Sequence, residues 1–368
     1  MKSWPAQSAS HRSSCAIILS VCIATFGRGD VIAETLDSIV DQLQDEVELV
    51  IVDGASPDNT EQIVAPYVER HPNVRYVREE TNSGVDEDYD KAVGYARGRY
   101  CWLMPDDDLM RPGAIARVLD AIKEDHELIL VEAEVRILDF SKVLEKTRTG
   151  ITEDRRYGPG DAERLFTDMG DHLTFIGSVI IRRDVWQRRN REMYFGSLFI
   201  HVGVIFQQPA IESALFIAEP QVTIRFGNAN WTSRTFEIWM FLWPELIHSF
   251  PDFSASAKTL VVDPEPWRNM MMLLKNRAKG RYSLSEHKLF LRRRGSVLDR
   301  CRSFLIGVVP VSLANFIAVL YVVTLMRNSR LGLYDLLDSN SATWASYWLA
   351  RTFPLAGDED MYSGSRQS

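Results

Sequence analysis

The strongest constraint on this chain is an alternation of two hydrophobic periodicities along its first half. Apolar runs of strand length, rich in β-branched residues, occupy Ala16–Phe26, Val47–Val52, Val74–Val77, Tyr100–Met104 and Leu128–Val135. Stretches of helical spacing lie between them, at Val31–Leu43, Thr60–Arg70, Tyr89–Ala96 and Gly113–Glu124. Parallel strands need a crossover of helix length, so this order predicts an α/β fold with a mainly parallel sheet and helices on both faces. Ligands of such sheets bind in the loops beyond the strands' carboxyl ends. Polar clusters stand in those loops: Thr25 to Asp30 after the first strand, Asp53 to Asn59 after the second, Thr81 to Gly84 after the third, and Asp106 to Asp108 after the fourth. Four polar loops on one sheet edge describe a pocket.

The 368 residues leave room for a catalytic domain of this kind and a C-terminal extension. A net charge of −8 argues against a general nucleic-acid binder, and no nucleic acid is expected as partner. Cys15, Cys22, Cys101 and Cys301 form no CxxC pair, and three lie in apolar runs, which suits reduced thiols in a cytoplasm. The apolar stretch from Cys15 to Phe26 reads as a first strand rather than a signal core, because it is short and leads into a strand–turn–helix pattern.

Beyond Glu153 the pattern loosens. A strand-like stretch at Leu173–Ile181 precedes an aromatic tract, Trp231 to Phe253, that contains Trp231, Trp239 and Trp243. Lys275 to Arg302 carries ten Lys or Arg against Glu286 and Asp299, and Ser303 to Met326 runs for 24 residues without a charge before Arg327 and Arg330. The expected organisation is a disordered N-terminus (1–13), a catalytic domain (14–230), a helical aromatic and basic extension (231–302), an apolar membrane-associating segment (303–330) and a tail (331–368). A basic stretch ahead of a charge-free run fits either a spanning helix or a segment lying on an anionic cytoplasmic surface. Pro310, Ser312 and Asn315 weaken the span, and a buried helical hairpin is the alternative.

Asp106, Asp107 and Asp108 carry the sharpest chemical signal. Adjacent carboxylates repel one another unless a cation or solvent relieves them. Hard dications such as Mg²⁺ or Mn²⁺ take carboxylate oxygens together with substrate phosphates, the arrangement a nucleotide-diphosphate donor needs. The plainer alternative is a solvated turn that caps the helix starting near Gly113. Asp53 ends a strand and could accept from a nucleobase N–H or a ribose hydroxyl. Asp58 and Asn59 read as caps of the next helix. Thr25 and Arg28 lie in the first loop, where backbone N–H groups and a guanidinium can approach phosphate.

The spans LSVCIATFGR, VELVIVDGASPDNT and TNSGVDEDYDKAVGYARGRYCWLMPDDDLM, with the aromatic tract, together resemble the inverting, nucleotide-sugar-dependent family 2 glycosyltransferases of the GT-A fold. The nearest branch is abequosyltransferase-like, on GVDEDYDKA, SLFIHVGVIFQ and FEIWMFLWPELIHSF. The resemblance implies a Rossmann-like GT-A domain with a mostly helical C-terminal extension. It also implies a nucleotide-sugar donor and a Mg²⁺ or Mn²⁺ ion. Thr25, Arg28, Asp53, Asn82, Gly84 and Asp106 are the expected donor-binding residues. Asp106, Asp107 and Asp108 are all candidate metal ligands, because the register of the family's DxD motif here admits either the outer pair or Asp107. The implied acceptor is a polyprenyl-diphosphate-linked saccharide of O-antigen or other surface polysaccharide synthesis, at the inner face of the cytoplasmic membrane. Arg292, Arg293 and Arg294 would then meet lipid phosphates.

The sequence departs from the family at the general base. Where an acidic pair is usual, Tyr194 to Gly203 offers His201 and no acid. Histidine can act as a base because its ordinary pKa lies near operating pH, although a packed core histidine is the alternative. Asp86 and Asp88 are the fallback bases or contacts to the donor sugar. Two other functions stay open: a nucleotidyltransferase, for which Thr25 to Asp30 is a poor triphosphate loop, and a non-catalytic binding module, which the missing acid allows.

Overall fold

A computed structural model describes residues 16–228, 234–326 and 329–355. The expected disordered N-terminus (1–13), Cys15, Trp231, Arg327 and the chain beyond Leu355 lie outside those residues. Strands β1 (Leu19–Thr25), β2 (Val47–Asp53), β3 (Val74–Arg78) and β4 (Tyr100–Met104) stand side by side in the order β3-β2-β1-β4, all parallel. Helices α1 (Ile32–Val40), α2 (Thr60–Arg70) and α3 (Val85–Tyr95) connect them. Every residue of β1, β2 and β4 is buried, as continuous apolar runs require in a sheet covered on both faces. Leu19, Val21 and Ile23 enter one core with Ile32, Leu36 and Ile39 of α1, whereas Cys22 and Ala24 enter the other with Tyr89, Ala92 and Val93 of α3. Each such aliphatic side chain contributes about 1.5–3 kcal/mol by leaving water.

The chain continues through β5 (Leu109–Met110), α4 (Ala114–Ile122), β6 (Leu128–Arg136), β7 (Val143–Glu145), β8 (Arg155–Tyr157), α5 (Ala162–Met169), β9 (Val179–Arg182), α6 (Arg183–Arg188), α7 (Ile200–Phe206) and β10 (Ala214–Arg225). The sheet runs on from β4 as β9-β6-β10-β5, with β7 on β6 and β8 on β10. Here it is mixed, because β9 pairs antiparallel with both β4 and β6. The strand-like stretch Leu173–Ile181 forms 3₁₀ turns at His172–Thr174 and Ile176–Ser178, and only its end joins β9. Strand β10 carries a proline, Pro220, which lacks the N–H a ladder needs and sits where the register shifts.

Much of the aromatic tract belongs to the sheet's own core. A helical run through Thr235–Glu237, Ile238–Leu242 and Trp243–Ser249 places Ile238, Trp243, Leu246 and Ile247 against α5 and α7. The core therefore continues past the boundary expected at residue 230. Beyond it, Met270–Ala278, Val297–Val308, Val311–Leu325, Arg330–Leu337 and Trp344–Thr352 are helices. Among the described residues no single helix is long and apolar enough to cross a membrane, and Val297–Val308 meets Val311–Leu325 at 97°.

Candidate active site

Thr25 and Asp53 are register partners at the carboxyl ends of β1 and β2. Asp53 is fully buried. Its Oδ1 accepts from Ser56 N at 2.7 Å, while Oδ2 accepts from the Tyr76 hydroxyl and from Arg78 at 3.0 Å. These bonds hold a tight turn in which Ala55 N donates to Asp53 O at 2.8 Å and Ala55 takes φ 62°, a left-handed conformation that is strained for alanine. Both Asp53 oxygens thus serve the turn, Tyr76 and Arg78 at the strand end expected to contact the nucleobase or ribose.

The first loop reaches across to the aspartate triplet. Gly27 N donates to Ser56, Arg28 N to Thr60 and Gly29 N to Asp58, so the loop is pinned to the start of α2. Asp58 also accepts from Thr60 N, the capping role its position suggested. Pinned this way, Arg28 extends its guanidinium to Asp106 at 3.2 Å and Asp107 at 2.8 Å, with the Asn228 carbonyl at 2.9 Å. From the opposite side, at the end of β10, Arg225 N donates to Asp108 Oδ1 at 2.7 Å and its side chain to the Asp107 carbonyl at 2.9 Å and to Glu34 at 2.7 Å. The triplet is therefore a clamped and largely buried anionic floor, not a solvated turn.

Burial dominates its electrostatics. Asp106 is pushed up to about 7 by desolvation and by Asp107, against Arg28. Asp107 rises by desolvation against Arg28 and Arg225, and Asp108 is pushed well above the carboxylate range by desolvation and Asp107. The Thr25 hydroxyl, also buried, lies against Asp106 without a hydrogen bond of good geometry. Two arginines thus leave the floor short of positive charge.

Helix α3 brings the third loop to the same edge. It starts four residues before the expected Tyr89, so Asp86 and Asp88 fall in its first turn. Asn82 Oδ1 accepts from Gly84 N at 2.8 Å, and Gly84 takes the positive φ of 96° that suits glycine. Asp88 accepts from Ser83 at 2.8 Å, and its other oxygen faces Gly54, where a Cβ would come within 2.5 Å. Burial raises the Asp88 pKa against Ser83 and Lys91. Tyr89 beneath feels all three triplet charges.

Two of the proposed bases are placed elsewhere. Asp86 caps α7, accepting from Leu198 N at 2.8 Å and Ile200 N at 3.1 Å. His201 is 1% exposed, and its Nε2 lies 2.7 Å from the Leu173 carbonyl. Burial lowers its pKa to about 4. A carbonyl partner requires Nε2 to carry the proton, which leaves Nδ1 as the basic atom, buried without a partner among the described residues. His201 is therefore corrected from general base to a core residue that ties α7 to the turn at His172–Thr174.

Sequence reasoning missed Arg225, Asn228, Tyr76 and Arg78. Tyr76 and Arg78 alternate on β3 and so carry a strand signal. Arg225 becomes visible only once β10 pairs antiparallel with β5, as Val222 with Met110 and Thr223 with Leu109.

The floor offers a metal ion no protein cage. Among the described residues no three His, Cys, Asp or Glu side chains converge on one metal position. Mg²⁺ and Mn²⁺ commonly take one or two carboxylates and complete their shell with phosphates and water. Asp106 and Asp107 would be the side chains to hold such an ion, in competition with Arg28.

Residues 20–189 match the family described as Glycosyl transferase family 2. Abequosyltransferase RfbV of Salmonella typhimurium is 23% identical over 231 residues, 59% of this chain and 69% of that protein. The putative teichuronic acid biosynthesis glycosyltransferase TuaG of Bacillus subtilis is 30% identical over 107 residues, 29% of this chain and 42% of that protein. Among solved structures, S. aureus TarS aligns over 86% of this chain and 55% of its own, at 16% identity and a TM-score of 0.51, a likeness of fold. Residues 20–189 thus match glycosyltransferase family 2, within a GT-A-like fold that carries a helical C-terminal region.

Proposed function

We propose that this protein transfers a glycosyl group from a nucleotide-diphosphate sugar to an acceptor hydroxyl, with the donor's diphosphate seated over Asp106–Asp108. One observation carries the reading: a buried aspartate floor at the carboxyl edge of a parallel sheet, undercharged by two arginines. A dication bound there with the diphosphate would supply charge neutralisation for the leaving group. Arg28 is placed to exchange its carboxylates for donor phosphate, since its loop backbone is pinned while its side chain bridges the floor. Asn82, Gly84 and the Gly54 turn form the adjoining wall, and Thr25 lends a hydroxyl.

In a single displacement, the acceptor oxygen forms the new bond to the anomeric carbon as the bond to the diphosphate oxygen breaks. The acceptor proton must pass to a base. Asp88 is the remaining candidate, because Asp86 and His201 are committed to α7, and burial raises its pKa and so its basicity. The likeness to an abequosyltransferase and a teichuronic acid enzyme supports a saccharide acceptor in surface polysaccharide synthesis. A lipid-linked form of that acceptor, met at the cytoplasmic face of the inner membrane, extends the same reading.

The test is product identity. Purified protein with Mn²⁺, a panel of nucleotide sugars and a lipid-linked saccharide extract should release nucleoside diphosphate and lengthen the acceptor. Consumption of a nucleoside triphosphate and a sugar phosphate, with release of diphosphate and no use of nucleotide sugar, would replace this reading with a nucleotidyltransferase.

A further inference from the structure

The C-terminal helices enclose a small apolar core, with Val319, Val323, Leu333 and Leu336 inside, and still leave a second set of large apolar side chains exposed. Val297–Val308 buries Ser303, Ile306 and Gly307 while exposing Phe304, Leu305 and Val308. Val311–Leu325 buries Asn315, whose Nδ2 donates to the Ala278 and Leu336 carbonyls at 3.1 and 2.8 Å and whose Oδ1 accepts from Ser346 at 2.7 Å. Its exposed stripe is Leu313, Ile317, Leu320 and Tyr321, residues spaced to share one helical face. Trp344 and Trp348, one turn apart on the Trp344–Thr352 helix, are 79% and 50% exposed. A helix apolar on all sides belongs in an apolar surrounding, and contiguous exposed patches of this kind mark interaction sites.

We infer that this face docks on an anionic lipid surface and lies in the plane of the membrane instead of crossing it. Helices of 12 and 15 residues reach about 18 and 22 Å, short of the roughly 30 Å hydrocarbon layer, and their 97° bend prevents them from adding end to end. The charge pattern selects the occupant. Arg292 and Arg293 are exposed just ahead of the first helix, and Arg302 is exposed between Leu298 and Leu305 on its apolar face. Across a two-fold interface the patch would meet its own positive charge, whereas anionic headgroups attract it. Exposed tryptophans such as Trp344 and Trp348 suit the headgroup level.

The experiment uses the full chain without nucleotide, so its outcome does not depend on any transferase activity. The protein should co-float with vesicles of phosphatidylcholine mixed with phosphatidylglycerol, and much less with phosphatidylcholine alone. A Leu305→Asp/Ile317→Asp variant, altered only at exposed positions, should bind on the order of 100-fold more weakly at an unchanged melting temperature. In the unmodified chain, brominated acyl chains should quench tryptophan emission, and Trp344→Phe/Trp348→Phe should remove that quenching. No flotation of the unmodified chain, or flotation without quenching, would overturn the inference. So would a lipid-free dimer that the aspartate variant converts to monomer while flotation is unchanged, which would assign the face to a second copy.

Discussion

The sheet domain and the C-terminal helices both bury apolar cores but differ in what they leave exposed. Around the sheet, apolar side chains fill two cores, and buried polar groups gather at one edge as the clamped floor of Asp106–Asp108. In the helices after Ser296, Ser303, Asn315 and Ser346 sit inside beside Val319, Val323, Leu333 and Leu336, while Phe304, Leu305, Ile317, Trp344 and Trp348 face outward. The helices give Ser303, Asn315 and Ser346 hydrogen-bond partners, as burial demands, whereas the sheet region leaves the Thr25 hydroxyl and His201 Nδ1 without one among the described residues. The difference lies in what each expects outside: water and a charged ligand for the first, an apolar layer for the second.

Several measurements would break or sharpen that contrast. The largest effect is expected at the floor, where Asp106→Ala should lower turnover by about 10³ while leaving the fold intact, comparable to losing a preorganised charge-stabilising group. Single-turnover assays alongside circular dichroism would check it. Next, Asp88→Asn should cut kcat by about 10² with donor affinity retained. A rise in KM for donor at constant kcat would instead make Asp88 a donor contact.

Smaller effects separate the two ways of burying. Leu36→Ala, in the sheet's core, should cost about 2–5 kcal/mol, whereas the equally apolar but exposed Leu305→Ala should stay within about 0.5 kcal/mol. Denaturant unfolding measures both. Asn315→Ala should cost about 1–3 kcal/mol, because it leaves the Ser346 hydroxyl and two carbonyls without their partner. Equal losses at Leu36 and Leu305 would erase the contrast.

The pH response follows from Asp106. Its folded pKa, about 7, is raised above the ordinary carboxylate value, so the folded state favours its protonated form. That contribution is fully present below the unfolded value and is lost as pH climbs through about 7. Metal-free protein should therefore lose melting temperature between about pH 4 and 7, and Asp106→Asn should flatten the slope. Mn²⁺ affinity should run the other way, weakening as acid protonates the ligand.

Strands β1 to β4 and their helices are legible in the sequence because each is a local run, and β1, β2 and β4 are buried on both sides. Strand β10 is not, because Pro220 interrupts its pattern and its meaning depends on pairing with β6. The aspartate triplet announces itself, since repulsion between adjacent carboxylates needs no knowledge of the fold. Its cations do not. Arg28 and Arg225 meet it across 78 and 117 residues of chain or more, and only the sheet brings them together. His201 misleads for a related reason: its partner is the Leu173 backbone carbonyl, which no side-chain pattern discloses.

The most direct test of the floor is calorimetry of nucleoside diphosphates with and without Mn²⁺, on the unmodified protein and on Asp106→Asn/Asp107→Asn. The account predicts tight binding that requires Mn²⁺ and disappears in the variant. Nucleotide binding of equal strength in both proteins, indifferent to Mn²⁺, would contradict it.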